Sequence, residues 1–291
     1  MAYLLAVSLL WGFSFGLVKA EFSVLSGSTL ALMRLLIALP CFLPFLKSPF
    51  RRPSLMVLKL LLIGAFQYGL MYVCLFSAFQ YLTGYEVALL TIFTPVYVIM
   101  ADAILENRWP PSWFWLTSGM AVAGALWIFQ PASLPAKVPG ILLMQGANLC
   151  FATGQVAYRQ FRKKDSPEMK DRDGYAWLFL GGILATLPFA LPKGPLTELA
   201  DLGRSQWLAL VYLGAVASGV GFFLWNAGAV KVNAATLAIF NNLKIPLATV
   251  IAIVVFGEQA ALDRLIPGLL IMLVALAWAE FAHQKWVTTR S

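Results

Sequence analysis

Ten apolar runs, each long enough to cross a bilayer and separated only by short linkers, constrain this 291-residue chain more than any other feature. A membrane helix needs about 20 mainly apolar residues, with roughly 17–25 as the working range. Reading for that length gives spans near 2–20, 28–46, 56–79, 85–104, 113–129, 138–158, 175–192, 207–229, 234–256 and 265–282. The linkers are rich in Pro, Gly or charge, as in Lys47-Ser-Pro-Phe-Arg-Arg-Pro53, Trp109-Pro-Pro111 and Pro131-Ala-Ser-Leu-Pro135, and none has room for a soluble domain. The chain is 60% hydrophobic and 12% charged, where soluble domains are roughly 45–50% apolar and about 25% charged. The expected fold class is therefore an all-α integral membrane protein with ten transmembrane helices. The first run has no basic segment before it and no small-residue cleavage site after it, so it reads as a membrane helix and not as a signal peptide.

The net charge of +8 does not point to nucleic acid, because the basic residues fall in short clusters between apolar runs. Placing the N-terminus inside puts fourteen of the 21 Lys and Arg in cytoplasmic segments and five in external ones, with Arg34 and Lys244 inside spans. The excess of basic residues on the cytoplasmic side predicts that both termini are cytoplasmic. Cys41, Cys74 and Cys150 all lie in apolar stretches and read as small packing residues. The single histidine, His283, leaves zinc, haem and serine-triad chemistry without its usual partner, so no cofactor, no metal and no catalytic residue is expected.

The two halves correspond. At an offset of about 138, Phe13, Gly16 and Val18 fall on Phe151, Gly154 and Val156; at 150, Gly64 and Gly69 fall on Gly214 and Gly219; at 151, Pro95 falls on Pro246. Ser8, Gly12 and Gly16 recur as Gly146, Cys150 and Gly154, every fourth residue, which gives one helix face a stripe that admits close backbone approach. Five spans per half reverse the direction of the second half, the inverted-repeat plan of many secondary transporters. The expected units are residues 1–131 and 132–291.

Leu10-Trp-Gly-Phe-Ser-Phe-Gly-Leu-Val-Lys19 resembles the first-helix signature of EamA-type members of the drug/metabolite transporter superfamily. So do the repeat endings, Pro95 with Glu106-Asn eleven residues later and Pro246 with Phe256-Gly-Glu258. The stretches holding Gly119, Gly124 and Gly268 are similar to the family's closing helix. The chain departs from the pattern at Leu105-Glu-Asn107 and at Asn241-Asn-Leu-Lys-Ile245. The resemblance implies a ten-helix carrier, usually a bacterial inner-membrane exporter of amino acids or related metabolites, with a central cavity built mainly by helices other than the fifth and tenth. The partners would be a small-molecule substrate and the lipid bilayer, with no nucleic acid, and the carrier would be a monomer. Small multidrug relatives use a glutamate in the first helix, and none stands between Trp11 and Val18.

An ionisable residue inside a span costs roughly 2.5–3.5 kcal/mol by insertion scales and needs a partner or a wet path. Lys244, flanked by Asn241 and Asn242 and two residues before Pro246, is a candidate for a substrate carboxylate or for a structural pair with an acid of the fourth span. Glu86, near the external end of that span, is a candidate for an amine or for Lys244; Asp102 reads as an interfacial charge. Arg34 admits an anionic group or a structural pair. Trp11, Phe15, Tyr68, Tyr72, Tyr97 and Trp225 could line a wet cavity that also holds apolar groups, and Asn148 and Asn226 need hydrogen-bond partners in hydrocarbon. Pro95 and Pro246 are candidate hinges for alternating access about a midplane site. Amino acids are the leading cargo; organic cations, using Glu86 and the aromatics, and sugar phosphates or nucleotide sugars, using Lys244 and Arg34, are the alternatives. An intramembrane enzyme would need metal-binding Asp clusters, a His-Glu zinc helix or paired aspartates, and none is present.

Overall fold

The computed structural model describes residues 2–46, 54–105, 112–128, 134–231 and 248–288, together with Trp109 and Ile245. Among these residues there is no strand. We number the long helices α1 (Ala2–Glu21), α2 (Gly27–Ala38, extended by a 3-10 turn to Cys41), α3 (Leu55–Ala78), α4 (Gly84–Leu105), α5 (Ser112–Ile128), α6 (Leu134–Gln160), α7 (Tyr175–Ala190), α8 (Arg204–Lys231), α9 (helical over 248–254) and α10 (Leu262–Thr288). The ten match the ten apolar runs in order. Leu58, Leu62 and Phe66, on one face of α3, are each about half exposed, the pattern of a helix that turns one side to lipid.

Helix ends follow local chemistry. Ser26 and Ser54 cap α2 and α3 by accepting from the N–H of Thr29 and Val57. Pro40 and Pro44 break the end of α2 into short 3-10 turns. At the start of α4 the Glu86 carboxylate accepts from the Thr83 N–H at 3.0 Å. Glu258, from the other half of the chain, accepts from Gly84 and Tyr85 at 2.9 and 3.0 Å. An anionic side chain at a helix N-terminus is stabilised by the exposed N–H groups and the helix dipole. We refer to this side of the bundle as the Gly84 end. Lys19 lies at the same end and donates to the Phe79 carbonyl. The opposite end carries Lys59 paired with Asp165 and Arg162 paired with Asp171, each at 2.8 Å.

Close helix crossings use glycine. A Cβ on Gly64 would strike the Leu178 backbone, and one on Gly181 would strike that of Leu61, so α3 and α7 meet nearly backbone to backbone. Gly154 of α6 faces the Gln67 backbone of α3 in the same way, and Gly16 of α1 faces the Phe256 ring. The α-helical hydrogen bonding also widens to π turns at Ala65–Leu70 in α3 and Tyr212–Val220 in α8. The first turn holds Gly69 and follows Gly64 directly, and the second holds their counterparts Gly219 and Gly214. α5 packs against α10, where Gly268 meets Ile128 and the Gly124 carbonyl. The cysteines are free; Cys74 and Cys150 are half-buried, whereas Cys41 is exposed on the last turn of α2, where the proline-broken backbone carries it out of the packing.

Gly181→Ala is expected to lower the thermal unfolding midpoint in detergent, with overpacking costing about 1–3 kcal/mol. Gly119→Ala, where nothing lies within 4 Å of the added carbon, is expected to leave the midpoint unchanged or raise it.

Candidate functional site: a buried arginine in an aromatic pocket

Arg34 sits in the middle of α2 and is 2% exposed. Its Nε donates to Ser218 Oγ at 3.0 Å, and its guanidinium carbon lies 4.7 and 5.0 Å from the ring centres of Tyr72 and Phe76. Cation–π contacts of this kind strengthen as water is removed. No carboxylate pairs with Arg34 among the described residues.

Ser218 makes this arrangement possible. Its hydroxyl donates to the Leu213 carbonyl five residues back at 2.8 Å, a reach that suits the π turn of α8. The Ser218 oxygen is then an acceptor for Arg34 and, at 2.8 Å, for the Tyr72 hydroxyl. One serine thus fixes two pocket side chains from two other helices.

The pocket itself lies between α1, α2, α3, α4, α6 and α8. Trp11, Phe15, Phe76, Phe151 and Phe222 supply aromatic wall, and Met71, Leu75 and Met144 supply aliphatic wall. The polar groups are few: Arg34, Tyr72, Ser14, Thr91, Thr94 and Asn148.

Asn148 is positioned by a proline. Pro95 has no N–H to offer Thr91, and the backbone before it tightens to a 3-10 turn at Thr91–Phe93 in which Thr94 N–H takes the Thr91 carbonyl. The Leu90 carbonyl, one residue earlier, accepts from Asn148 Nδ2 at 2.8 Å. Asn148 Oδ1 accepts from the Thr94 hydroxyl at 3.1 Å. The amide is therefore locked between α6 and α4, in the pocket wall.

Of the residues predicted from sequence, Trp11, Phe15, Tyr72 and Asn148 come together on this pocket. Trp225, Asn226 and Tyr68 lie against the pocket's neighbours with internal partners. Trp225 donates to Gln155 and lies 5.0 Å, ring to ring, from Trp11. Asn226 bonds Gln67 and the Tyr68 hydroxyl, and Tyr68 bonds Tyr175. Tyr97 donates to Gln145 at 3.2 Å, outside the lining. Glu86 is placed differently from the expectation of a cargo amine or a Lys244 partner: it caps α4 and pairs with Lys137, away from the lining, because an acid at the third helical residue reaches its own N-terminus. Pro95 is buried at the break in α4 just described. Asn241, Lys244 and Pro246 lie outside the described residues. Ser218, Thr91 and Thr94 were missed, since hydroxyl residues in an apolar run carry no signal of depth or direction; Arg34 is the residue whose role the geometry sharpens most.

The chain matches the EamA-like transporter family over residues 1–130 and 138–279. It belongs to that family. It is 37% identical over 279 residues to a protein of Pseudomonas aeruginosa named a probable biotin transporter, covering 95% of this chain and 96% of that one. It is 36% identical over 305 residues to the biotin transporter of Escherichia coli strain K12, covering all of this chain and 95% of that one. It is 35% identical over 293 residues to the biotin transporter of Salmonella typhimurium strain LT2, with the same coverage. A solved crystal structure overlays with a TM-score of 0.64 at 18% identity, over 96% of this chain and 95% of the other, which shows the fold. This member of the family is accordingly a ten-helix membrane transporter of the drug/metabolite type, and its bacterial relatives place it among multi-pass inner-membrane proteins.

Replacing Asn148 by Leu should lower the thermal midpoint, since it strands the buried Leu90 carbonyl and Thr94 hydroxyl at about 1–3 kcal/mol. Thr94→Val, which removes only one donor and keeps the Leu90 bond, should cost less in the same melt.

Proposed function

We propose that this chain carries biotin across the bacterial inner membrane, holding the biotin carboxylate on Arg34. The observation that carries this reading is the buried guanidinium on the pocket wall, oriented by Ser218 and flanked by Tyr72 and Phe76, with no protein carboxylate beside it among the described residues. A cation in a low-dielectric wall is costly alone and favours an anionic ligand that desolvates with it. An arginine also presents a planar fork that fits a carboxylate in two-point contact.

The rest of the pocket suits the rest of biotin. The molecule has a short aliphatic carboxylated chain and a fused ring system with a urea. Met71, Leu75, Met144 and the aromatic wall accept the apolar parts, and Asn148, Thr91, Thr94 and Ser14 are within the lining that a urea would meet. Three relatives at 35–37% identity that carry the biotin name support the same cargo. The amino-acid export suggested by family resemblance gives way to this reading, since those names and an apolar pocket with one cation suit an amphipathic acid better than a zwitterion. Organic cations are disfavoured by the same arginine.

Transport would follow alternating access, with units 1–131 and 132–291 moving about the pocket and with Pro95 and Pro246 as hinges. By the basic-residue count the Gly84 end is external and both termini are cytoplasmic. The substrate set, on this reading, comprises Arg34, Ser218, Trp11, Phe15, Tyr72 and Asn148.

Purified carrier in liposomes should take up labelled biotin saturably. Unlabelled biotin should compete, while biotin methyl ester, lacking the carboxylate, and a panel of amino acids should not. Arg34→Gln should weaken binding by roughly 30-fold or more, the scale of losing about 2 kcal/mol from a buried charge contact. Ser218→Ala should raise KM by about fivefold to tenfold through the lost hydrogen bonds. Equal competition by the ester, or wild-type affinity in Arg34→Gln, would overturn the assignment.

A further inference from the structure

The pocket floor is aromatic. On the side away from the Gly84 end, Trp225 is fully buried beside Trp11 and Phe151, with ring centres 5.0 and 6.3 Å away, and Phe222 lies 5.2 Å from Trp11. Beyond that floor lies a buried polar layer. Gln67 donates to Asn226 at 3.0 Å, Asn226 to the Tyr68 hydroxyl at 2.8 Å, and the Tyr68 and Tyr175 hydroxyls share a 2.7 Å bond.

Gln155 completes this layer and differs from its neighbours. It is 1% exposed, one turn past Phe151 on α6 and two turns past Asn148. Its Oε1 accepts from the Trp225 indole N–H at 2.8 Å. Its Nε2 has no hydrogen-bond partner among the described residues. The neighbouring Gly154 brings α6 against the Gln67 backbone, so the unpaired amide sits where three helices, α3, α6 and α8, converge. A buried N–H₂ without an acceptor is unfavourable, and such groups in an otherwise satisfied network call for an explanation.

We propose that Gln155 is a second substrate station, a relay that accepts the cargo's neutral carbonyl once the aromatic floor parts. The proposal rests on the biotin reading above and deepens it: the carboxylate is held by Arg34 in the upper pocket, and the urea carbonyl is the acceptor that the free Nε2–H meets on the way to the Lys59 end. Trp225 couples the two events, since the indole that closes the floor is also the group tied to the Gln155 oxygen. When Trp225 moves, the amide is released to turn toward the cargo. A neutral donor suits this depth, where a second charge would hold the substrate too tightly to release.

The test separates binding from passage. Gln155→Leu and Gln155→Met, neither of which keeps a hydrogen-bond donor, are purified and assayed for equilibrium binding of labelled biotin and for uptake into liposomes. Both variants are expected to bind within about twofold of wild type, which also shows that they are folded, and to transport at least tenfold more slowly. Uptake at the wild-type rate in Gln155→Leu would overturn the relay. Loss of binding parallel to loss of uptake would also overturn it, by placing Gln155 in the primary site or in the fold alone. A wild-type carrier that binds no biotin at all would refute the cargo assignment and this proposal with it, an outcome visible before any variant is compared.

Discussion

A guanidinium buried in the middle of a membrane bundle, with no protein carboxylate to neutralise it among the described residues, is the interaction around which the rest of this structure is organised. Hydrocarbon disfavours it, and the surrounding helices answer with what they can provide: two aromatic faces and one serine oxygen. None of these removes the charge. On the proposed reading an anionic ligand completes the charge, which would let a carrier select an anion while remaining almost wholly apolar.

The irregular turns of the helices follow from the same need. A regular α-helix uses all its own N–H and C=O groups and offers a cavity nothing but side chains. The π turn in α8 sets Ser218 over the Leu213 carbonyl, and the 3-10 turn before Pro95 leaves the Leu90 carbonyl to Asn148. Both polar anchors of the pocket thus depend on a local break in helical hydrogen bonding. Glycine at the crossings of α3 with α7 and with α6 brings those backbones nearly into contact. At the Gly84 end, the Glu258 carboxylate on the first turn of α4 ties the two halves of the chain to each other.

Much of the architecture was legible in the sequence because the bilayer fixes length: ten runs of the right size became ten helices. Gly64, Gly69, Gly214 and Gly219 were recognisable as corresponding positions, and the π turns fall on those segments. The site was legible in part. Trp11, Phe15 and Tyr72 could be chosen as rings beside polar residues at mid-depth and Asn148 as an amide in hydrocarbon, and the pocket holds them. Sequence gives depth along a helix but not its neighbours, so Arg34 reads more readily as half of an ion pair than as an anion site, whereas no acid pairs with it among the described residues. Glu86 reads as a buried acid awaiting a cation, and it has one in Lys137, but Thr83-Gly-Tyr-Glu86 also has the spacing of an N-terminal cap, and the second carboxylate oxygen is held there. Tyr68, Trp225 and Asn226 were chosen for the same reasons as the pocket residues, and their hydrogen bonds go to one another and to Gln67, Gln155 and Tyr175 instead. Ser218 had no such signal, because its importance arises from where a widened turn points it.

The central claim is that the Arg34 charge is completed by the cargo. A structure of the carrier with biotin bound tests it most directly: the account predicts the carboxylate oxygens within hydrogen-bond distance of the Arg34 guanidinium, with Ser218 still holding Nε. Biotin lying elsewhere, with Arg34 paired to an acidic side chain of the protein, would contradict it.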